Sequence, residues 1–229
     1  MQEALFYDSL DQHKVKCNLC PHYCTLKPGK TGVCGVRKNV DGKLYSENYG
    51  VVTGLGMDPI EKKPLYHFYP GQNILSVGSI GCNLKCFFCQ NWEISQINKE
   101  DLPVKQTHSV DEIIKLATSR SDNIGVAYTY NEPVIYYEFM LDVAREIKKR
   151  GMKNVMVTNG FINPEPLEEL TPLMDAFSVD LKGFSEEFYL KHTKSSLEPV
   201  RQAILQIGRS NSFLEVTNLV IPGLNDQIS

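Results

Sequence analysis

The amino-acid sequence predicts an α/β chain: an open or partial barrel of parallel strands, its active face at the strand C-termini, with a small cysteine-rich extension at the N-terminus. Two observations predict it. From about residue 74 onward, short apolar runs alternate with stretches of helical periodicity, the rhythm of βαβ units. All seven cysteines precede residue 90 and fall in two groups, Cys17, Cys20, Cys24 and Cys34, then Cys82, Cys86 and Cys89. The expected division is therefore a cysteine-rich extension over 1–72 and a barrel over 73–229.

Taken in order, residues 17–35 place Pro21, Pro28, Gly29, Gly32 and Gly35 among four thiols, the composition of a metal-held knuckle. Residues 36–72 read as short strands and loops, ending in the aromatic run Tyr66-His67-Phe68-Tyr69. Ile74 to Ile80 is the first barrel strand and runs into Gly81 and the second cysteine group. Ser109 with Glu112 forms a capping box that starts a helix. Asn123 to Tyr130 is the second strand. Val134, Tyr137, Leu141, Ala144 and Ile147 then share one face of a long helix closed by Gly151. Asn154 to Thr158 is the third strand, and Asn163 caps a helix beginning at Pro164, with Glu165, Glu168 and Glu169 near its positive end. Ala176 to Leu181 is the fourth strand. Helical segments over 185–191 and 197–209 lead to a fifth, Phe213 to Ile221, ended by Pro222-Gly223. The sequence stops at Ser229, so a sixth strand is expected to be absent or the chain to be a fragment.

With 229 residues, 42% of them apolar, the chain supports one sizeable core and a small appendage. Lys and Arg number 24 against 27 Asp and Glu, a net charge of -3, so there is no overall basic field for nucleic acid. The charged N-terminus has no apolar stretch of roughly 7 to 15 residues, and nothing approaches the ~20 apolar residues of a membrane span. A cytoplasmic protein is expected, and in that reducing setting an odd set of thiols reads as metal ligands rather than disulfides.

Cys82, Cys86 and Cys89 are spaced C-x3-C-x2-C on a loop leaving a strand. Three thiolates fill three corners of an iron-sulfur cubane and leave one iron open to a small molecule. The spacing Cys17-x2-Cys20-x3-Cys24-x9-Cys34 suits structural zinc, an auxiliary iron-sulfur cluster, or no metal at all. His22 could substitute for one of these thiols, though a lone loop histidine more often faces solvent, and His67 reads as either a packing histidine or a group on the substrate side. Tyr136 and Tyr137 read as helix packing.

The stretch GCNLKCFFCQN resembles the radical S-adenosylmethionine (SAM) superfamily, whose cluster loop is C-x3-C-x-aromatic-C, and the likeness covers roughly residues 74–226. Within it the chain looks most like relatives of the pyruvate formate-lyase activating enzyme, and most of all the radical SAM member of the AmmeMemoRadiSam system. The phrases that carry this are CNLCPHYC, TGVCGVR, EKKPLYHFYPG, GCNLKCFFCQN, YTYNEP, VTNGF, DLKG and LVIPGLND, in that order.

The resemblance implies a partial (β/α)6 barrel and a [4Fe-4S] cluster on Cys82, Cys86 and Cys89, with SAM on the open iron. It also implies hydrogen abstraction from a substrate, and an electron donor of flavodoxin or ferredoxin type. Phe88 takes the aromatic place beside adenine. Asn131 and Glu132 stand where relatives have a Gly-Gly-Glu turn at the methionyl amino group, with Tyr130 and Asn131 replacing the glycines. Thr158 and Asn159 match the end of the third strand, where Val157 replaces an acid. Asp180 and Lys182 match groups that reach the ribose and carboxylate of SAM. Sixth-strand residues that complete the site in relatives have no counterpart before Ser229. The hydrogen comes either from a glycyl residue of a partner protein or from an unidentified substrate, and no catalytic residue is assigned. The alternatives are a metal-stabilised interaction module or an inactive fragment.

Overall fold

Tight turns organise the first part of the chain. The computed structural model describes residues 1–96 and 107–226. Strands β1 (Gln2–Glu3), β2 (Tyr7–Ser9), β3 (Val15–Cys17), β4 (Thr25–Leu26), β5 (Arg37–Val40) and β6 (Lys43–Ser46) form two antiparallel three-stranded sheets, β1-β6-β5 and β2-β3-β4. Asp41 and Gly42 join β5 to β6 at φ of 49° and 88°, the positive values that a two-residue hairpin turn of the primed kind requires.

The main sheet has six strands in the order β12-β11-β10-β9-β8-β7. These are β7 (Gly54–Pro59), β8 (Asn73–Gly78), β9 (Asn123–Tyr128), β10 (Lys153–Thr158), β11 (Ala176–Asp180) and β12 (Phe213–Thr217). Strands β8 to β12 pair in parallel and β7 pairs antiparallel to β8, so the sheet is mixed. The sequence reading places Gly54–Pro59 among the short strands and loops of the extension, whereas in the fold this segment pairs with β8 at the edge of the main sheet. It also extends the fifth parallel strand to Ile221. The ladder stops at Thr217, and beyond it Asn218 donates to the Leu181 carbonyl while Asn225 bonds Lys182, Leu219 and Ile221, so side chains replace sheet pairing.

The helices are α1 (Trp92–Ser95), α2 (Val110–Thr118), α3 (Tyr137–Lys149), α4 (Pro164–Leu170), α5 (Glu186–Phe188) and α6 (Leu197–Gly208). Ser109 and Glu112 make the expected reciprocal capping box on α2. Asn163 does occupy the N-cap of α4, yet its amide makes no cap bond and instead donates to the Asn18 carbonyl at 2.7 Å. A long-range tie has displaced the local one. Tyr136 and Tyr137 are buried as packing residues.

One face of the sheet is covered by helices: Ile113, Tyr137, Met140, Ala144 and Ile147 pack with Val126, Met156, Phe177 and Val179. On the opposite face Ile60, Leu65 and Phe68 pack on Ile74, Ala127, Val155 and Ala176. Since Ile74 and Ala176 lie at the starts of their strands, this plug fills the N-terminal half and leaves the C-terminal half of that face open. That is where parallel α/β sheets bind ligands. His67 belongs to neither alternative read from the sequence. Its side chain is 80% exposed, 3.3 Å from Glu215, away from the cleft. Among the described residues no helix is long and apolar enough to cross a membrane.

A buried ion pair fastens the N-terminal sheets to α3. Arg37 on β5 meets Glu138, with the side chains 2% and 5% exposed, and Glu138 also accepts from the Leu5 amide at 2.8 Å. Removing one member of such a pair strands the other charge in a medium that solvates it poorly. Glu138→Ala is expected to lower the unfolding free energy by about 3–5 kcal/mol, measured by denaturant titration. A loss under about 1 kcal/mol would place this pair with ordinary surface bridges.

Candidate cluster and cofactor site

Strand β8 delivers the chain to Gly81, which has φ +83° and lies so close to the Cys34 carbonyl that a Cβ would stand 2.4 Å from its oxygen. Only glycine fits that close approach. The next residues form a loop held from several directions: the Gly81 amide donates to Ile94 at 2.8 Å, Lys85 to Thr193 at 2.8 Å, and the Asn83 side chain to Phe161 at 2.7 Å. Cys82, Cys86 and Cys89 on this loop open into one cleft of about 500 Å3. Phe88, Asn131, Glu132, Thr158, Asn159, Asp180 and Lys182 line the same cleft, so every residue assigned from sequence to the cluster or SAM is brought together there.

The donor set suits an iron-sulfur cluster. All three thiols are free, Cys82 accepts from the Leu84 amide at 3.3 Å, and Cys89 lies 3.2 Å from the Ser95 hydroxyl. Hydrogen bonds of this kind to sulfur tune a cluster once it is held. Burial pushes the Cys82 thiol well up and that of Cys86 up to about 11, while Lys182 pulls Cys86 the other way. Binding must therefore displace protons, as thiolate ligation requires. Among the described residues no three His, Cys, Asp or Glu side chains are gathered as ligands of a single ion.

The ends of β9 and β10 are joined by one carboxylate. Glu132 is 3% exposed; it accepts from the Val134 amide at 3.0 Å, the Thr158 hydroxyl at 2.7 Å and the Asn159 amide at 2.8 Å. Thus fixed, Asn159 donates to the Asn83 side chain at 2.9 Å and points at the Cys82 sulfur at 3.8 Å. Asn131 accepts from the Ser79 amide and donates to the Gly81 carbonyl, both at 2.9 Å, which supports the entry to the cysteine loop. At the end of β11 the Lys182 ammonium sits 2.7 Å from Asp180. Burial works against its charge, but Asp180 and the neighbouring thiols outweigh that and keep its pKa above the ordinary value. Phe88 lies beside the thiols, edge-to-face with Phe87 and tilted against Phe188.

Sequence reasoning missed the wall facing these groups. Asp58 of β7 takes 2.7 Å and 2.8 Å hydrogen bonds from Lys63 and the Tyr130 hydroxyl, and Lys63 lies 4.9 Å above the Tyr130 ring. Burial raises the Asp58 pKa, yet those two donors hold it well below the usual carboxylate range. Tyr130 has φ +70°, and a Cβ on Gly54 or Gly78 would stand 2.5 Å or 2.8 Å from its ring, so two glycines hollow out its seat. The phrase EKKPLYHFYPG was the available signal, but nothing local linked it to a residue 67 positions later.

The other four cysteines lie outside this cleft, around a smaller cavity shared with His22 and Arg37. His22 is not solvent-facing: its Nε2 is 2.7 Å from the Asn83 carbonyl and its ring packs edge-on against Phe161.

Burial raises Glu132 to about 7, against the pull of Asn159, Val134, Thr158 and Lys182. A carboxyl whose folded pKa exceeds its unfolded value stabilises most at low pH. That contribution, about 3 kcal/mol in full, is lost as pH rises from the unfolded pKa of about 4.5 through the folded one. In the metal-free chain, Glu132→Gln is expected to flatten the fall in stability across that window, read from denaturation at stepped pH; an unchanged slope would refute the assignment.

The model of the radical SAM superfamily matches residues 77–228. An uncharacterized protein of Methanocaldococcus jannaschii is 45% identical over 100% of this chain and 67% of its own length. A putative glycyl-radical enzyme activating enzyme of the same organism is 25% identical over 69% of this chain and 66% of its own. The pyruvate formate-lyase-activating enzyme of Staphylococcus epidermidis is 26% identical over 64% of this chain and 61% of its own. The chain thus spans about two thirds of the length of these relatives. With the family's three-cysteine loop opening into a cleft at the strand C-termini, the chain belongs to the radical SAM superfamily, which implies a [4Fe-4S] cluster and SAM.

Proposed function

We propose that this chain is a radical SAM enzyme in which Cys82, Cys86 and Cys89 hold three corners of the cluster and leave the fourth iron for SAM. The observation that carries this reading is convergence: three thiols, a charged Lys182 and the ordered turns after β9 and β10 share one cleft, although they come from four separate strand ends. When bound, the cluster supplies reductive cleavage of SAM to methionine and a 5′-deoxyadenosyl radical that takes hydrogen from a substrate.

The chain's own residues then bind, orient and exclude water. Lys182 receives the carboxylate of SAM, Asp180 its ribose hydroxyls, and Phe88 its adenine. Glu132 and Asn131 already spend their oxygens on the chain, so they act on the cofactor by holding Asn159 and the cysteine loop in place. Asp58, Lys63 and Tyr130 form the wall toward the substrate. The name of one relative, a putative glycyl-radical enzyme activating enzyme, favours a glycyl residue of a partner protein as the hydrogen donor, and an electron donor of flavodoxin or ferredoxin type accompanies that reading. The ordered phrases from CNLCPHYC to LVIPGLND support a place beside the AmmeMemoRadiSam member.

Oxygen-free protein reconstituted with iron and sulfide is expected to yield 5′-deoxyadenosine with SAM and dithionite, assayed by mass spectrometry; zinc at both cysteine groups and no such product would overturn the enzyme reading. Cys86→Ala should abolish the cluster while helical circular dichroism persists. Lys182→Ala should keep the cluster but weaken SAM binding by roughly 10-fold or more, as loss of a charge-assisted hydrogen bond does. Unchanged SAM affinity would remove Lys182 from the site.

A further inference from the structure

The cleft leaves the first cysteine group unexplained. Cys17 ends β3, Cys20 and Cys24 lie on the turn into β4, and Cys34 precedes β5. None forms a disulfide, yet all four border one cavity of about 20 Å3, the room of little more than one water-sized sphere. The strands beside them are only two to four residues long.

A second observation points into the same cavity. Arg37, 1% exposed, borders it and donates to the Cys17 sulfur at 3.9 Å, while its Nε has no hydrogen-bond partner among the described residues. Glu138 pairs with this guanidinium, and the N–H that also reaches the Cys17 sulfur suits an anionic thiolate better than a neutral thiol.

We propose that Cys17, Cys20, Cys24 and Cys34 form a closed four-thiolate metal centre, and that this centre braces the loop bearing Cys82, Cys86 and Cys89. Four sulfur–metal bonds form as four thiol protons leave to solvent, and no coordination position remains for substrate. The shared chemistry is thiolate ligation, open to one zinc ion or to an iron-sulfur cluster. No three of these thiols are gathered as ligands of one ion, so the occupant either draws them inward or is itself polynuclear.

The bracing rests on contacts made by the ligand-bearing segments. The Cys34 carbonyl abuts Gly81, and His22 meets the Asn83 carbonyl at 2.7 Å. Leu19 accepts from the Asn163 amide at 3.1 Å, and Cys20 packs on the same Leu84–Phe161 cluster as Cys82 and Cys86. Fixing the four thiols therefore fixes the entry of the other cysteine loop, on either side of Cys82.

The test uses the full chain with Cys82, Cys86 and Cys89 all changed to Ala, purified without oxygen, so that it reads independently of any chemistry at the first site. Metal analysis with visible absorption should find either one colourless zinc per chain or iron with sulfide and a brown cluster band; both support the centre and tell its occupants apart. Finding neither would overturn it. Adding Cys24→Ser should remove the metal and speed hydrogen exchange at the Gly81 and Lys85 amides by about tenfold or more. Metal retained after that change overturns the ligand assignment, and metal lost with unchanged exchange overturns the brace. Should Cys24→Ser fail to fold, stripping the metal with a chelator gives the same exchange readout on the unmutated knuckle.

Discussion

The carboxylate of Glu132 is the constraint from which the cleft is built. One acidic side chain enclosed at the end of β9 accepts from the Val134 amide in its own turn and reaches across to the Asn159 amide and the Thr158 hydroxyl at the end of β10. Those donors are the ones left over when parallel strands stop and their ladder ends, groups that are costly to bury unpaired. Because the carboxylate takes them, the turn after β10 can dip toward the thiols without exposing its backbone to water. Asn159 then has one orientation available, and it faces Asn83 and Cys82.

Local signals made much of this architecture legible. The cysteine spacing, the capping box at Ser109 and the alternation of buried strands with amphipathic helices each depend on neighbours within one turn or one strand. The strand-end residues Thr158, Asn159, Asp180 and Lys182 were placed by the resemblance to the radical SAM family, and they share a cleft because parallel strands present their last residues at a common rim. What escaped was non-local. Strand β7 is one-third glycine and becomes a strand only because β8 offers it an edge. His22 looks solvated until the fold sets Asn83 above it, and Asn163 looks like a plain cap until Asn18 claims its amide.

Tyr130 shows how a departure from a family pattern is absorbed. A glycine-type turn suits φ +70° without cost, whereas a tyrosine there carries strain that the surroundings must over-determine. They do so by fixing the ring at both ends: glycines on β7 and β8 clear space beneath it, and Asp58 and Lys63 hold its hydroxyl and face. The bulk that replaces a small residue thus becomes a wall of the cleft. The pair of ammonium groups at Lys62 and Lys63 against one carboxylate leaves that wall with surplus positive charge.

The cysteine loop itself has almost no structure of its own. Its position is set by the knuckle through Cys34 and His22, by the β10 turn through Phe161 and Asn159, and by the segment after α5 through Thr193. Three stretches far apart in sequence must be in place before the three sulfurs are. A short loop stabilised this way resists local opening only as well as its supports do, so the cluster geometry is a property of the assembled fold rather than of the motif. The same dependence explains why the motif is so easily read while its setting is not: thiol spacing is written in eight consecutive residues, Cys82 to Cys89, and their orientation is written in contacts that reach from His22 to Thr193.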